Sequence, residues 1–223
     1  MLADKQSRAI RIWSNQEIKK LAPLFTGDVV NVSAWDDRDK QGEYYKDYFS
    51  KASGYYYTNH PGIRGYQKKE NEYLLDLTDN LPAELQGRFD VVFNHTTFEH
   101  IFEVRKAFKN FCDMTRDVAI VVVPFSQLQH ETESWKDYWR FTPSCIREMF
   151  QENGLEVIYE AESKYKRAAV YLLLVGSRHP ERWKDQMPKF KPIEKAGKWI
   201  GFHWLPRIYM ELKWKLLENT HKQ

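Results

Sequence analysis

The spacing of apolar residues changes from segment to segment along the chain, and each spacing predicts an element. Ile10, Trp13, Ile18 and Leu21 recur at roughly helical intervals within residues 4–22, and Pro23 closes that run. GDVVNVSAW, residues 27–35, has the apolar run of a short buried strand, and the polar stretch after it enters a helix near Gly42. The aromatic GYYYTN, 54–59, predicts a second strand ahead of the Pro61-Gly62 turn. EYLLDL, 72–77, predicts a third and RFDVVFNHT, 88–96, a fourth. Phe98, Ile101, Phe102, Phe108 and Phe111 then follow a period near 3.6 residues, which extends a helix over 98–114. DVAIVVVPF, 117–125, is a β-branched run without polar alternation, the pattern of a central strand buried on both faces. Thr142 as N-cap, Pro143 in the first turn and Asn153-Gly154 as a stop bound a helix over 143–152. GLEVIYEAE and AAVYLLLVGSR, joined by SKYKR, complete the pattern as an antiparallel hairpin.

Seven strands alternating with helices and closing on a hairpin predict an α/β fold with a mostly parallel sheet and an antiparallel C-terminal end. Ligands of such sheets bind outside the carboxyl ends of the strands, here 33–35, 58–59, 76, 94–97 and 124–130. At 223 residues the chain suits one main domain, 25–178, with an N-terminal helix, 1–24, and a C-terminal extension, 179–223. Cys112 and Cys145 fall in helical runs at no metal-ligand spacing, which argues against a disulfide framework or zinc module and fits a reducing compartment. The first residues lack the apolar core of a signal peptide, and no run reaches about eighteen apolar residues, so a cytoplasmic location is expected. The net charge of +3 is uneven: from Arg178 onward there are eleven Lys/Arg against five Asp/Glu. With the basic charge confined to the tail, no nucleic-acid partner is expected. In that tail Leu205, Ile208, Tyr209, Leu212 and Leu216 share one helical side, opposite Arg207, Glu211, Lys215 and Glu218. Two roles fit: peripheral contact of 198–218 with the inner face of a membrane, or packing on the domain or a protein partner.

The densest chemistry follows the central strand, in QLQHETESWKDYWRFTP, 127–143. His130 suits a general base, since imidazole titrates near neutrality, or a hydrogen bond within its loop. Asp137 and Arg140 suit either acceptor binding or an ion pair with each other. Trp135 suits stacking on a sugar ring or packing on the sheet. His95, Glu99 and His100 lack a third metal ligand at useful spacing, and no metal is expected.

FDVVFNHTTFEH, then DVAIVVVPF, then a histidine followed by DYWRFTP, then NGLEVI, resembles the class I S-adenosylmethionine-dependent methyltransferases over roughly residues 25–178. The likeness is strongest to methyltransferase-domain proteins of polysaccharide and lipopolysaccharide biosynthesis. That resemblance implies a Rossmann-like seven-stranded sheet and S-adenosyl-L-methionine as cofactor. It implies that Ser33, Ala34 and Trp35 hold its methionine and ribose, that Asn59 takes the place of an acidic ribose ligand, that Asp76 meets adenine, and that Asn94 and His95 face the methyl donor. Glu99 and His100 match the family's EH pair. The implied activity is methylation of a hydroxyl on a glycan or lipid-linked saccharide acceptor, with His130 as base and Trp135, Asp137 and Arg140 on the acceptor side. Two positions depart from the family: S-A-W-D-D replaces the glycine-rich turn after the first strand, and Asn59 replaces the acid. These departures hold open a second reading, a methyltransferase-fold subunit that has lost catalysis and serves as a binding or scaffold component of a polysaccharide assembly complex.

Overall fold

A computed structural model describes residues 2–163 and 169–196. Residues 164–168, which hold most of the expected SKYKR turn, and the expected amphipathic stretch 198–218 lie outside the described residues. The strands are β1 (Gly27–Val32), β2 (Ala52–Asn59), β3 (Glu72–Leu74), β4 (Phe89–His95), β5 (Thr115–Ser126), β6 (Glu156–Glu162) and β7 (Val170–Ser177). They form one sheet in the order β3-β2-β1-β4-β5-β7-β6. Neighbours from β3 to β5 are parallel, and β7 lies antiparallel between β5 and β6. The helices are α1 (Leu2–Leu21), α2 (Tyr45–Tyr48), α3 (Val104–Asp113), α4 (Pro143–Glu152) and α5 (Pro180–Trp183).

Successive strand residues point to opposite faces. Val29, Val91, Phe93, Ile120 and Val122 therefore pack with Ile10, Ile18 and Leu21 of α1 on one side. Val30, Val92, Val121 and Val123 pack with Phe108 and Phe111 of α3 and with Ile146 and Phe150 of α4 on the other. Both faces of β5 are thus covered, which is why its sequence shows no alternation. The local signals around α4 hold as well: Thr142 Oγ1 accepts from the Cys145 amide at 3.1 Å, and Gly154 takes φ +72°, where a Cβ is disfavoured.

Three elements differ from their periodicity. The helix expected over 98–114 begins only at Val104, after a single 3₁₀ turn over Phe98–His100. The Glu99 carbonyl accepts the Tyr138 and Trp139 amides at 2.7 and 3.2 Å, so this turn carries the 127–142 segment instead of continuing a helix. Phe102, counted in the apolar stripe, is left 63% exposed. The third strand stops at Leu74 because the backbone turns: Asp76 Oδ1 accepts both the amide and the hydroxyl of Thr78 at 2.8 Å. The helix expected near Gly42 is the single turn α2. No helix among the described residues is long and apolar enough to cross a membrane.

Candidate active site

The carboxyl ends of β1 to β4 open on a cavity of about 560 Å³. Ser33, Asn59 and Asp76 line its floor, with Leu75 and Leu77 either side of Asp76 in sequence and Thr96 and Thr97 following β4. Arg64 lines it from the loop after β2, and His100, Trp135 and Tyr138 from the β4 and β5 sides.

The turn after β1 takes a glycine-type path without glycine. Ser33, Trp35 and Asp37 have φ of 59°, 50° and 60°, in the left-handed region that disfavours side chains. Neighbouring strands hold them there. The Ser33 amide donates to Thr58 Oγ1 at 3.3 Å, the Ala34 amide to the Thr58 carbonyl at 3.2 Å, and the Trp35 amide to Asn59 Oδ1 at 2.6 Å. Asn59 Nδ2 in turn donates to Glu72 Oε1 at 2.6 Å, and Glu72 also accepts the Gln67 and Lys69 amides at 3.0 and 2.8 Å. Burial opposes the Glu72 charge, but the Asn59, Lys69 and Gln67 donors outweigh it and hold the carboxyl below its usual range. Both ends of the Asn59 amide are therefore engaged in tying β1, β2 and the 60–71 loop together. Ser33→Gly is expected to stabilise the protein by about 0.5–1 kcal/mol, the relieved φ strain less the extra unfolded-state entropy of glycine. A urea midpoint that rises at unchanged m-value is the result to look for.

At the carboxyl end of β4 and just past it the polar residues divide between the cavity and the opposite face. Asn94 is fully buried; its Nδ2 donates to the Val32 carbonyl at 2.8 Å, and its Oδ1 has no partner among the described residues. The His95 ring is turned to the α1 side, where Nε2 lies 2.8 Å from Ser14 Oγ and the ring packs 5.6 Å from that of Tyr45. Burial, with Arg11 adding to it, pushes the His95 pKa well down, so this imidazole is neutral. His100 stays on the cavity side, its Nδ1 2.6 Å from the Lys136 carbonyl. Its ring centroid lies 4.9 Å from that of His130 and 4.4 Å from that of Trp135. Beneath it Glu99 is 1% exposed, with no hydrogen-bond partner among the described residues for either carboxylate oxygen. Burial raises the Glu99 carboxyl to about 7.

Asp137 and Arg140 meet each other. Asp137 accepts from Arg140 Nη1 and Nη2 at 2.6 and 2.7 Å and from the His130 amide at 2.9 Å, and its side chain is fully buried. Arg140 also donates to the carbonyls of Gln127, Leu128 and Trp139. This bidentate pair closes the 127–140 loop on itself. His130 sits against it: Nδ1 is 3.2 Å from Asp137 Oδ2 and 2.9 Å from Gln127 Nε2. Since Gln127 Oε1 accepts the Tyr171 hydroxyl at 2.9 Å, Gln127 presents its amide nitrogen as a donor to His130 Nδ1.

Of the residues singled out from sequence, Ser33, Asn59, Asp76 and Trp135 line the cavity, whereas Ala34, Trp35, Asn94, His95, His130, Asp137 and Arg140 are not among its lining residues. His100, Thr97, Arg64 and Tyr138 line it without having been assigned a role. For His100 the signal was present in the TTFEH run just past β4, at the edge where ligands of such sheets bind. No group of three or more potential metal ligands occurs among the described residues.

The strand order, the antiparallel β7 and the cavity at the carboxyl edge define the class I fold of S-adenosylmethionine-dependent methyltransferases, and solved structures of that class superpose on it. A methyltransferase described as putative from Bacillus halodurans is similar at a TM-score of 0.54 and 9% identity, over 73% of this chain and 97% of that one. The 1,6-didemethyltoxoflavin-N1-methyltransferase of Burkholderia thailandensis, with 1,6-didemethyltoxoflavin and S-adenosylhomocysteine bound, is similar at 0.51 and 14% identity, over 74% and 80%. A putative sarcosine dimethylglycine methyltransferase from Galdieria sulphuraria is similar at 0.51 and 10% identity, over 75% and 84%. No protein-family model and no curated protein matches the chain.

Proposed function

We propose that the protein is an S-adenosylmethionine-dependent methyltransferase acting on a hydroxyl of a glycan or of a lipid-linked saccharide precursor. The observation that carries the reading is the cavity at the carboxyl ends of β1 to β4, where Asp76 stands between two leucines. The lining fits the cofactor group by group. Leu75 and Leu77 offer apolar contact for adenine. Asp76, whose Oδ1 is engaged by Thr78, has Oδ2 as an acceptor for adenosine donors. Arg64, stacked 4.8 Å from the Trp35 ring, supplies a cation for the amino-acid carboxylate. When bound, the cofactor supplies an electrophilic methyl group for in-line displacement, and the protein's share is orientation and proton removal. A saccharide acceptor suits the aromatic rim. Phe102 and Tyr138, 63% and 47% exposed with ring centroids 5.3 Å apart, and half-buried Trp135 offer faces that stack on a sugar ring.

One observation favours the non-catalytic scaffold reading: the Ser33, Ala34 and Trp35 amides, which a glycine-rich turn would offer to the cofactor, are taken by Thr58 and Asn59. Calorimetry with S-adenosylhomocysteine decides between the two. One-to-one binding is expected, and Asp76→Ala is expected to weaken it about 10- to 100-fold, the loss of one or two charge-assisted hydrogen bonds. No heat of binding to the wild-type chain at millimolar ligand would leave the scaffold reading standing alone.

A further inference from the structure

We propose that His100 takes the proton from the acceptor hydroxyl, with the Lys136 carbonyl fixing its tautomer and Glu99 set beneath it as a positioning residue; this rests on the methyltransferase reading above. A carbonyl oxygen only accepts hydrogen bonds, so the 2.6 Å contact between His100 Nδ1 and the Lys136 carbonyl places the proton of the neutral ring on Nδ1. The lone pair is left on Nε2, and His100 belongs to the cavity lining. The neighbouring His130 is placed differently. Its Nδ1 lies between a donor, Gln127 Nε2 at 2.9 Å, and an acceptor, Asp137 Oδ2 at 3.2 Å, so no single tautomer is fixed, and His130 is not among the lining residues. The two imidazoles are thus a base and a wall: the His130 and Trp135 rings flank His100 edge-on and hold its plane.

In the reaction the acceptor O–H bond breaks and its proton goes to His100 Nε2, the oxygen bonds to the methyl carbon, and the methyl–sulfur bond breaks with its electron pair left on sulfur, so that S-adenosylhomocysteine departs as the neutral thioether. The imidazolium so formed lies 3.8 Å from Glu99 Oε1. Glu99 has no hydrogen-bonded side-chain partner at its carboxylate among the described residues, so the charge that its burial disfavours is the charge that the imidazolium balances. Among the described residues the other charged or titratable groups around His100 are His130, Asp137 and Arg140, with Lys136, Glu133, Glu103 and Tyr138 at the rim and His60, Arg64 and Asp76 across the cavity. Burial lowers the His100 pKa and the Lys136 contact partly restores it, so the ring is neutral and basic at neutral pH.

Nitrogen-15 NMR of the imidazoles, assigned by the signals lost in His100→Gln and His130→Gln, tests this without an acceptor. Two results are expected: Nδ1-protonated His100 in the free protein, and a His100 pKa lower with S-adenosylmethionine bound than with S-adenosylhomocysteine. The second follows because the ligands differ by one positive charge, which at about 5 Å and an effective dielectric of about 40 is a shift of roughly one unit. Glu99→Gln is expected to lower the His100 pKa further. A proton on Nε2 of neutral His100, or equal His100 pKa values in the two bound states, would overturn the assignment while leaving cofactor binding intact. A charge-dependent shift at His130 and not at His100 would transfer the role to His130. Failure of either ligand to move any resonance would overturn the methyltransferase reading itself, and this inference with it.

Discussion

Asp37→Ala is expected to lower stability by about 3–5 kcal/mol, because it removes one carboxylate from beneath several donors at once. Asp37 is 2% exposed and accepts from Asn31 Nδ2 at 2.6 Å, the Tyr55 hydroxyl at 2.9 Å and the Lys46 amide at 3.0 Å. Asn31 is itself 3% exposed, so its amide has no water to fall back on. The backbone of Asp37 adds to the turn, its amide donating to the Ala34 carbonyl and its carbonyl accepting from Tyr45, both at 2.9 Å. Loss of the side chain therefore loosens the whole 33–45 turn. Asp37→Asn keeps one acceptor oxygen and is expected to cost less. Urea denaturation of the three proteins gives the ordering, and the idea fails if Asp37→Ala lies within 1 kcal/mol of wild type, roughly the size of a surface change. The pH dependence has a definite sign. Burial raises the Asp37 carboxyl above its usual 3.8, against the Asn31, Lys46 and Tyr55 hydrogen bonds. The native state then takes up a proton at higher pH than the unfolded chain, so the Asp37 contribution becomes more favourable as pH falls through the raised value towards 3.8.

The same turn shows where reading a sequence succeeds and where it stops. β5 was legible because a β-branched run buried on both faces needs no partner to be recognised, and α4 because Thr142, Pro143 and Gly154 act within one turn of the helix. The seven-stranded sheet with its antiparallel hairpin followed from such local signals. The left-handed path of Ser33, Trp35 and Asp37 carries no local signal, since none is glycine; Thr58, Asn59, Asn31 and Tyr55 impose it from outside the turn. Asn59 was legible as a polar residue at a strand's end, but not that both sides of its amide go to Trp35 and Glu72. The break before α3 depends on amides about 40 residues downstream meeting the Glu99 carbonyl, and periodicity is blind to that. His100 and His130 are alike as residues. Only their surroundings distinguish them: His100 Nδ1 meets a carbonyl and its ring lines the cavity, whereas His130 Nδ1 lies against Gln127 and Asp137 in the closed loop.

Asp137→Ala is expected to cost about 3 kcal/mol, near the lower end for breaking a buried ion pair because the Arg140 side chain retains 28% exposure. The cost arises from what remains: a guanidinium held among the carbonyls of Gln127, Leu128 and Trp139 without the carboxylate that paired with it. Replacing both partners, Asp137→Leu with Arg140→Met, is expected to recover part of the loss, since the stranded charge is then gone. If the double variant is as unstable as the sum of Asp137→Leu and Arg140→Met made singly, the pair is not coupled and the loop is held by other contacts. Acid unfolding offers an independent check. Burial works against ionisation of Asp137, but the Arg140 hydrogen bonds, the His130 amide and the Arg140 charge outweigh it and hold the carboxyl at about 2. A depressed native pKa means that the contribution is complete above the ordinary carboxyl value and is lost as pH falls towards about 2, so the gap between wild type and Asp137→Ala is expected to narrow over that interval. The same substitution reaches the cavity indirectly. Lys136, whose carbonyl fixes the His100 tautomer, is the residue immediately before Asp137, and the Tyr138 and Trp139 amides behind it hold the segment to Glu99. In Asp137→Ala, faster hydrogen exchange at Tyr138 and Trp139 is expected together with a mixed His100 tautomer, whereas exchange in β5 is expected to follow only the global change in stability.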